Sequence, residues 1–115
     1  MTITEENVIN TVVTAVEGGA DYWMDCDPDA NPWLGEHGGE SFSEKFAQGI
    51  MAGRIATICD VEDHSTKWPF SMATLLGGFE LFFNDPERCR PFEEHDAEDA
   101  DVIFQLGLFS EVRYS

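Results

Sequence analysis

Hydrophobic positions along the chain follow two periods, and each period predicts an element. Val8, Ile9, Val12, Val13 and Val16 recur at helical spacing within residues 5–17. Thr4 is placed to cap that helix, Glu5 and Glu6 suit the positive end of its dipole, and Gly18-Gly19 is its stop. Residues 20–24 are short and aromatic, either a strand or an extended exit from the helix. Residues 25–41 hold Pro28, Pro32, Gly35, Gly38 and Gly39, a long irregular loop of the kind that is functional or mobile in compact domains. A second helix is predicted over 42–52, with Ser41 or Ser43 as cap and Gly53 as stop.

Residues 54–61 then switch to a strand period, with Ile55, Thr57, Cys59 and Val61 on one face. Glu62-Asp63-His64-Ser65 reads as a turn, and 66–70 as the paired strand, Pro69 marking its end or an edge. Ser71 caps a third helix running to about 84, where Asp85-Pro86 stops it. Gly77-Gly78 interrupts that helix and predicts close packing against a neighbour. After a loop over 87–94, Asp96 caps a last helix over 97–109, whose inner face is Ala100, Ile103, Phe104, Leu106 and Gly107. Residues 112–114 are expected to return as a short strand. The sum is an α+β fold, three to four helices packed on a small antiparallel sheet. At 115 residues it is one domain, because two cores would each be too small to stand alone.

Charge changes the picture. Asp and Glu number 23 against 6 Lys and Arg, a formal net charge of −17. No Lys or Arg precedes Lys45, and a second acidic block is Glu93, Glu94, Asp96, Glu98, Asp99 and Asp101. A direct binder of nucleic-acid phosphate or of an anionic membrane surface needs the opposite sign. Solubility alone asks for a net charge of magnitude roughly 2–8 in a small domain. Three readings account for the excess: a solvated acidic face, a high-salt host, or carboxylates presented where a nucleic acid presents phosphates. Helical side chains three or four apart lie about 5–6 Å from each other at Cβ. That matches the order of spacing along a phosphate backbone, which rises about 3.4 Å per phosphate on the axis. Glu94, Glu98 and Asp101 then make one row, with Asp99 beside it.

No reaction is announced. His37, His64 and His95 form no HxH or HExxH pair, and Cys26, Cys59 and Cys89 no CxxC. The Ser residues lie in no GxSxG elbow, and the glycine pairs match no phosphate-binding loop. No enzyme, cofactor or metal is therefore expected, and three unpaired thiols fit a reducing cytosol. The N-terminus has neither a basic nor an apolar leader region, and no run approaches the ~18 apolar residues of a spanning helix. Acidic residues at Asp25, Asp27, Asp29 and Glu36 occupy positions 1, 3, 5 and 12 of a calcium loop. Ala30 stands where the turn wants glycine, Pro32 removes an amide, and His37-Gly38-Gly39 starts no exit helix. The alternative function on these residues is a ligand- or calcium-sequestering module. Arg54, Arg88, Arg90 and Arg113 would have to converge to hold an anionic ligand. Among the aromatics, Trp23 and Trp68 read as core, and Trp33, between Pro32 and Gly35, as an exposed binding anchor.

Two stretches carry a resemblance: Ala15-Val16-Glu17-Gly18-Gly19-Ala20-Asp21-Tyr22-Trp23, and Asp96-Ala97-Glu98-Asp99-Ala100-Asp101-Val102-Ile103-Phe104-Gln105-Leu106 with Phe109 and Glu111 after it. They resemble a family of small, uncharacterised bacteriophage and prophage proteins with an EGG-x-x-Y-W segment early and a DAED-like helix before a short final strand. The order of elements from 54 to the third helix is similar. The loop over 25–40 is less typical, and the family pattern places Gly where Ser110 stands here. The resemblance supplies no catalytic residue. It implies a phage product acting in the bacterial host cytoplasm, where small acidic phage proteins often inhibit host defence, anti-CRISPR and anti-restriction proteins among them. The expected function is thus non-enzymatic inhibition by mimicry of DNA. The partner is a host protein with a basic nucleic-acid-binding surface, such as a CRISPR effector complex, and a homodimer is compatible with the chain. The expected contact residues are Asp25, Asp27, Asp29, Trp33 and Glu36 in the loop, and Glu93, Glu94, Glu98, Asp99 and Asp101 near the last helix.

Overall fold

A computed structural model describes residues 2–115. The order is α1 (Glu5–Thr14), β1 (Met24–Asp25), α2 (Phe42–Met51), β2 (Ala56–Asp60), β3 (Lys67–Phe70), α3 (Met72–Phe83) and α4 (Ala97–Phe109). The three strands form one antiparallel sheet in the order β1-β2-β3. Four helices with a small antiparallel sheet make an α+β fold. One cluster of buried side chains joins all seven elements, with Phe46, Ile58, Phe70, Phe79 and Phe104 fully buried in it.

Helix starts follow their caps. Thr4, Ser41, Ser71 and Asp96 each accept a bond from a backbone amide of the first turn through their side chains. At α4 the capping box is built from two acids: Asp96 accepts from the Asp99 amide, and Asp99 accepts from that of Asp96. α1 closes in a wider π-helical turn, Ala15–Gly19, so the helical path reaches the predicted stop. Gly19 is needed there because a Cβ would lie 2.6 Å from the Ala97 carbonyl oxygen, where α4 crosses it. α3 and α4 form the most extensive helix pair. A Cβ on Gly78 would strike the Ile103 carbonyl, and one on Gly107 would strike that of Thr74, so the two backbones touch. Gly77 faces open space. The predicted close packing is therefore a property of Gly78.

Three expectations are corrected. The strand predicted over 54–61 is shorter, Ala56–Asp60: Ala56 and Ile58 point to the core, Cys59 is also buried, and Ile55 and Val61, both exposed, lie beyond its ends. Residues 112–114 form no strand. The amides of Arg113 and Tyr114 both donate to Gln105 Oε1, at 2.7 and 2.8 Å, so a buried side-chain amide replaces the strand partner. Ser110 leads into this tail at φ 60°, the left-handed region that glycine takes most easily. Lastly, the segment 25–41 is anchored rather than loose. It winds through two 3-10 turns, Pro28–Ala30 and Pro32–Glu36. Between them Asn31 is fully buried and exchanges two hydrogen bonds with the backbone of Thr57, extending the ladder where β1 ends.

Candidate functional site

Trp33 is buried, so it is not a surface anchor. Its ring fills the space over Gly49 of α2, where any Cβ would collide with it, and it packs against Phe46 at 6.0 Å and His37 at 5.6 Å. The loop carboxylates are dispersed. Asp25 lies 3.4 Å from His64, Asp27 caps its own turn through the Asp29 amide, and Glu36 pairs with Arg54 at 3.1 Å. Only Asp29 stands free and exposed, and the four do not gather around a common point. The arginines do not converge either: Arg54, Arg88, Arg90 and Arg113 pair separately with Glu36, Asp85, Asp99 and Glu111.

The row Glu94, Glu98, Asp101 is broken, because Asp101 points inward. Its Oδ1 accepts from Trp23 Nε1 at 2.7 Å and from Gln105 Nε2 at 2.9 Å, and its Oδ2 from the Tyr22 hydroxyl at 2.6 Å. Gln105, one turn on, grips the tail, and the Tyr114 ring stacks on Trp23 at 5.0 Å. Tyr22 is pushed up to about 12, first by burial and then by its bond to Asp101. The two stretches that carried the resemblance are thus each other's partners, and their residues build the fold. Asp99 is buried for a related reason: it closes the capping box and faces Arg90 at 3.6 Å.

What α4 does present outward lies at its start. In the 3-10 turn Phe92–Glu94, the rings of Phe92 and His95 turn in against Phe83 at 5.1 and 5.6 Å, and Phe79 closes on Phe92 at 5.5 Å. Glu93 and Glu94, between those two anchors, are forced into solvent. Asp96 and Glu98 follow, also exposed, with Asp96 held below the usual carboxylate range by the Asp99 amide. The first helix adds to the same face. Glu6 and Glu93 line one shallow groove of about 400 Å³, with Asn7, Asn10 and Phe92, and Asp96 lines an adjoining cleft of about 150 Å³ with the same two asparagines. Acidic blocks from opposite ends of the chain therefore merge. Among the described residues, no salt bridge reaches Glu5, Glu6, Glu93, Glu94 or Glu98. Glu5 and Glu6 carried a local signal as first-turn residues of α1, but their meeting with Glu93 depends on how α1 lies beside α4, which periodicity does not encode.

A larger groove of about 630 Å³ runs along α4 from Glu98, between Tyr22, Val112 and Tyr114. Its polar floor is Asp101, whose oxygens are already engaged by Tyr22, Trp23 and Gln105. No helix among the described residues is long and apolar enough to cross a membrane. Compared with protein-family models, curated proteins and solved structures, the chain matches none.

Proposed function

We propose that the protein is a non-enzymatic binding protein whose acidic face, centred on Glu6, Glu93, Glu94 and Asp96 with Glu5 and Glu98 at its edges, occupies the cationic nucleic-acid groove of a host protein. The observation that carries this reading is the shared groove of Glu6 and Glu93, which joins two acidic blocks into one surface. Phe92 and His95 anchor the turn's backbone, so its carboxylates project from a fixed stretch of chain, as phosphates do from a nucleic-acid backbone. Pre-ordering lowers the entropic cost of binding, and like charge at such density steers encounter with a basic partner. The resemblance adds the setting: a phage product in the bacterial cytoplasm, acting on a defence complex such as a CRISPR effector or a restriction enzyme. The loop over 25–36 contributes little, since Asp25, Asp27 and Glu36 have internal partners and Trp33 is buried.

Capture from bacterial lysate on the immobilised protein tests this. A nucleic-acid-binding protein should be retained and should be displaced by duplex DNA. The combined Glu6→Gln, Glu93→Gln, Glu94→Gln variant should retain at least tenfold less, while Asp29→Asn should behave as the unaltered chain. Equal retention by the triple variant would overturn the assignment of this face.

A further inference from the structure

A separate cluster lies on the outer face of the sheet. Asp25 of β1 and Cys59 of β2 are directly opposed in the ladder, so their side chains share one face. The β2–β3 turn brings His64 back over them, and one ligand atom from each of the three lies within 4.8 Å of the others. Local bonds order this turn. Asp60 accepts from the Glu62 amide, and Asp63 accepts from the Ser65 amide and the Ser65 and Thr66 hydroxyls. His64 is thus held at the site by the turn itself.

We propose that Asp25, Cys59 and His64 form a binding site for a borderline-soft divalent cation of the zinc type. The donor set decides the class of ion: thiolate and imidazole suit zinc and its neighbours, whereas calcium takes oxygen donors almost alone. Asp25 Oδ2 and His64 Nε2 are 3.4 Å apart. That is long for a charge-assisted hydrogen bond, but it equals the edge between two ligands of a tetrahedral ion with bonds of about 2.0–2.1 Å, which is about 3.3–3.4 Å. The Cys59 sulfur needs only a small approach, which the exposed His64 and half-exposed Asp25 side chains can make toward it. Asp27 and Asp60 add negative charge around Cys59, and Lys67, its partner on β3, opposes them. Three protein donors leave a fourth position to water. In sequence the signal was Cys59-x4-His64, which becomes a chelating pair only once the hairpin is known and Asp25 is placed across the ladder. The site is independent of the acidic face.

The full chain, reduced and metal-free, should be titrated with Co2+ as a spectroscopic probe and with Zn2+ against a chromophoric chelator. One equivalent should bind, giving the sulfur-to-cobalt charge-transfer band and the visible bands of a tetrahedral ion. Cys89→Ser, which removes the exposed thiol, should leave both unchanged. Cys59→Ser should abolish the charge-transfer band. His64→Ala, at an exposed turn position, should weaken Zn2+ at least tenfold with the circular dichroism spectrum intact. Excess Ca2+ should not reverse cobalt binding. Absence of the band, its survival in Cys59→Ser, or unaltered affinity in His64→Ala would overturn the site and reduce binding to adventitious ions on surface carboxylates.

Discussion

Asp101→Ala should lower the thermal midpoint by about 15 °C, a loss of about 3–5 kcal/mol, the largest effect expected of any carboxylate in the chain. The residue is a buried acceptor for three donors, two of them the ring groups of Tyr22 and Trp23 far away in sequence. Truncation strands the buried Trp23 indole N–H, whereas the exposed Tyr22 hydroxyl can turn to water, and an unsatisfied buried polar group costs about 1–3 kcal/mol, to which the lost packing adds. The damage spreads, because Gln105 then loses the partner that orients its grip on Arg113 and Tyr114. Asp29→Ala, at an exposed position, should change the midpoint by about 2 °C or less. A pH series adds an independent readout. Tyr22 titrates near 12 in the folded chain against an ordinary 10, so the fold retains its proton more tightly than the unfolded state does. The associated stability is fully present below pH 10 and is lost as pH rises from 10 towards 12. Tyr22→Phe should make the alkaline decline shallower, the remainder belonging to the buried Cys26 thiol, which burial also pushes up to about 12. A midpoint for Asp101→Ala within about 3 °C of the unaltered chain would refute the network as a structural keystone.

The second large effect separates two adjacent glycines. Gly78→Ala should destabilise by about 2–3 kcal/mol, because its Cβ meets the Ile103 carbonyl and α3 must move away from α4, an overpacking that a rigid backbone cannot relieve. Gly77→Ala, one residue earlier and facing open space, should stabilise by up to about 1 kcal/mol through helix propensity alone. Denaturant midpoints of the two variants should thus move in opposite directions. Equal shifts would mean that backbone contact between the helices does not decide the pairing.

These residues also mark how far the sequence can be read. Caps are local chemistry, so Thr4, Ser71 and Asp96 identified three helix starts without knowledge of the fold, and the choice between Ser41 and Ser43 at the second helix falls to Ser41. The glycine pair announced a close approach but not which member makes it, since that depends on where α4 lies. In the predicted strand over 54–61, apolar residues occupy both parities, Ile55 and Val61 on one and Ala56 and Ile58 on the other, so alternation alone cannot name the core face. Acidity marked Glu93, Glu94 and Glu98 correctly as outward carboxylates, yet the same criterion enrolled Asp99 and Asp101. Composition counts charges, whereas burial follows from partners such as Tyr22, 79 residues away. Trp33 misled in the opposite sense: proline and glycine neighbours suggested a surface loop, and the seat prepared by Gly49 on α2 drew the ring inward.

The acidic face gives the account its functional content, and salt measures it most directly. For the partner retained on the immobilised chain, Kd should weaken by about tenfold or more across a tenfold rise in salt concentration, chiefly through a slower association rate, as steering by opposed charge requires. The Glu6, Glu93, Glu94 triple variant should show a markedly shallower dependence. A Kd that stays constant over that range would contradict recognition through this face.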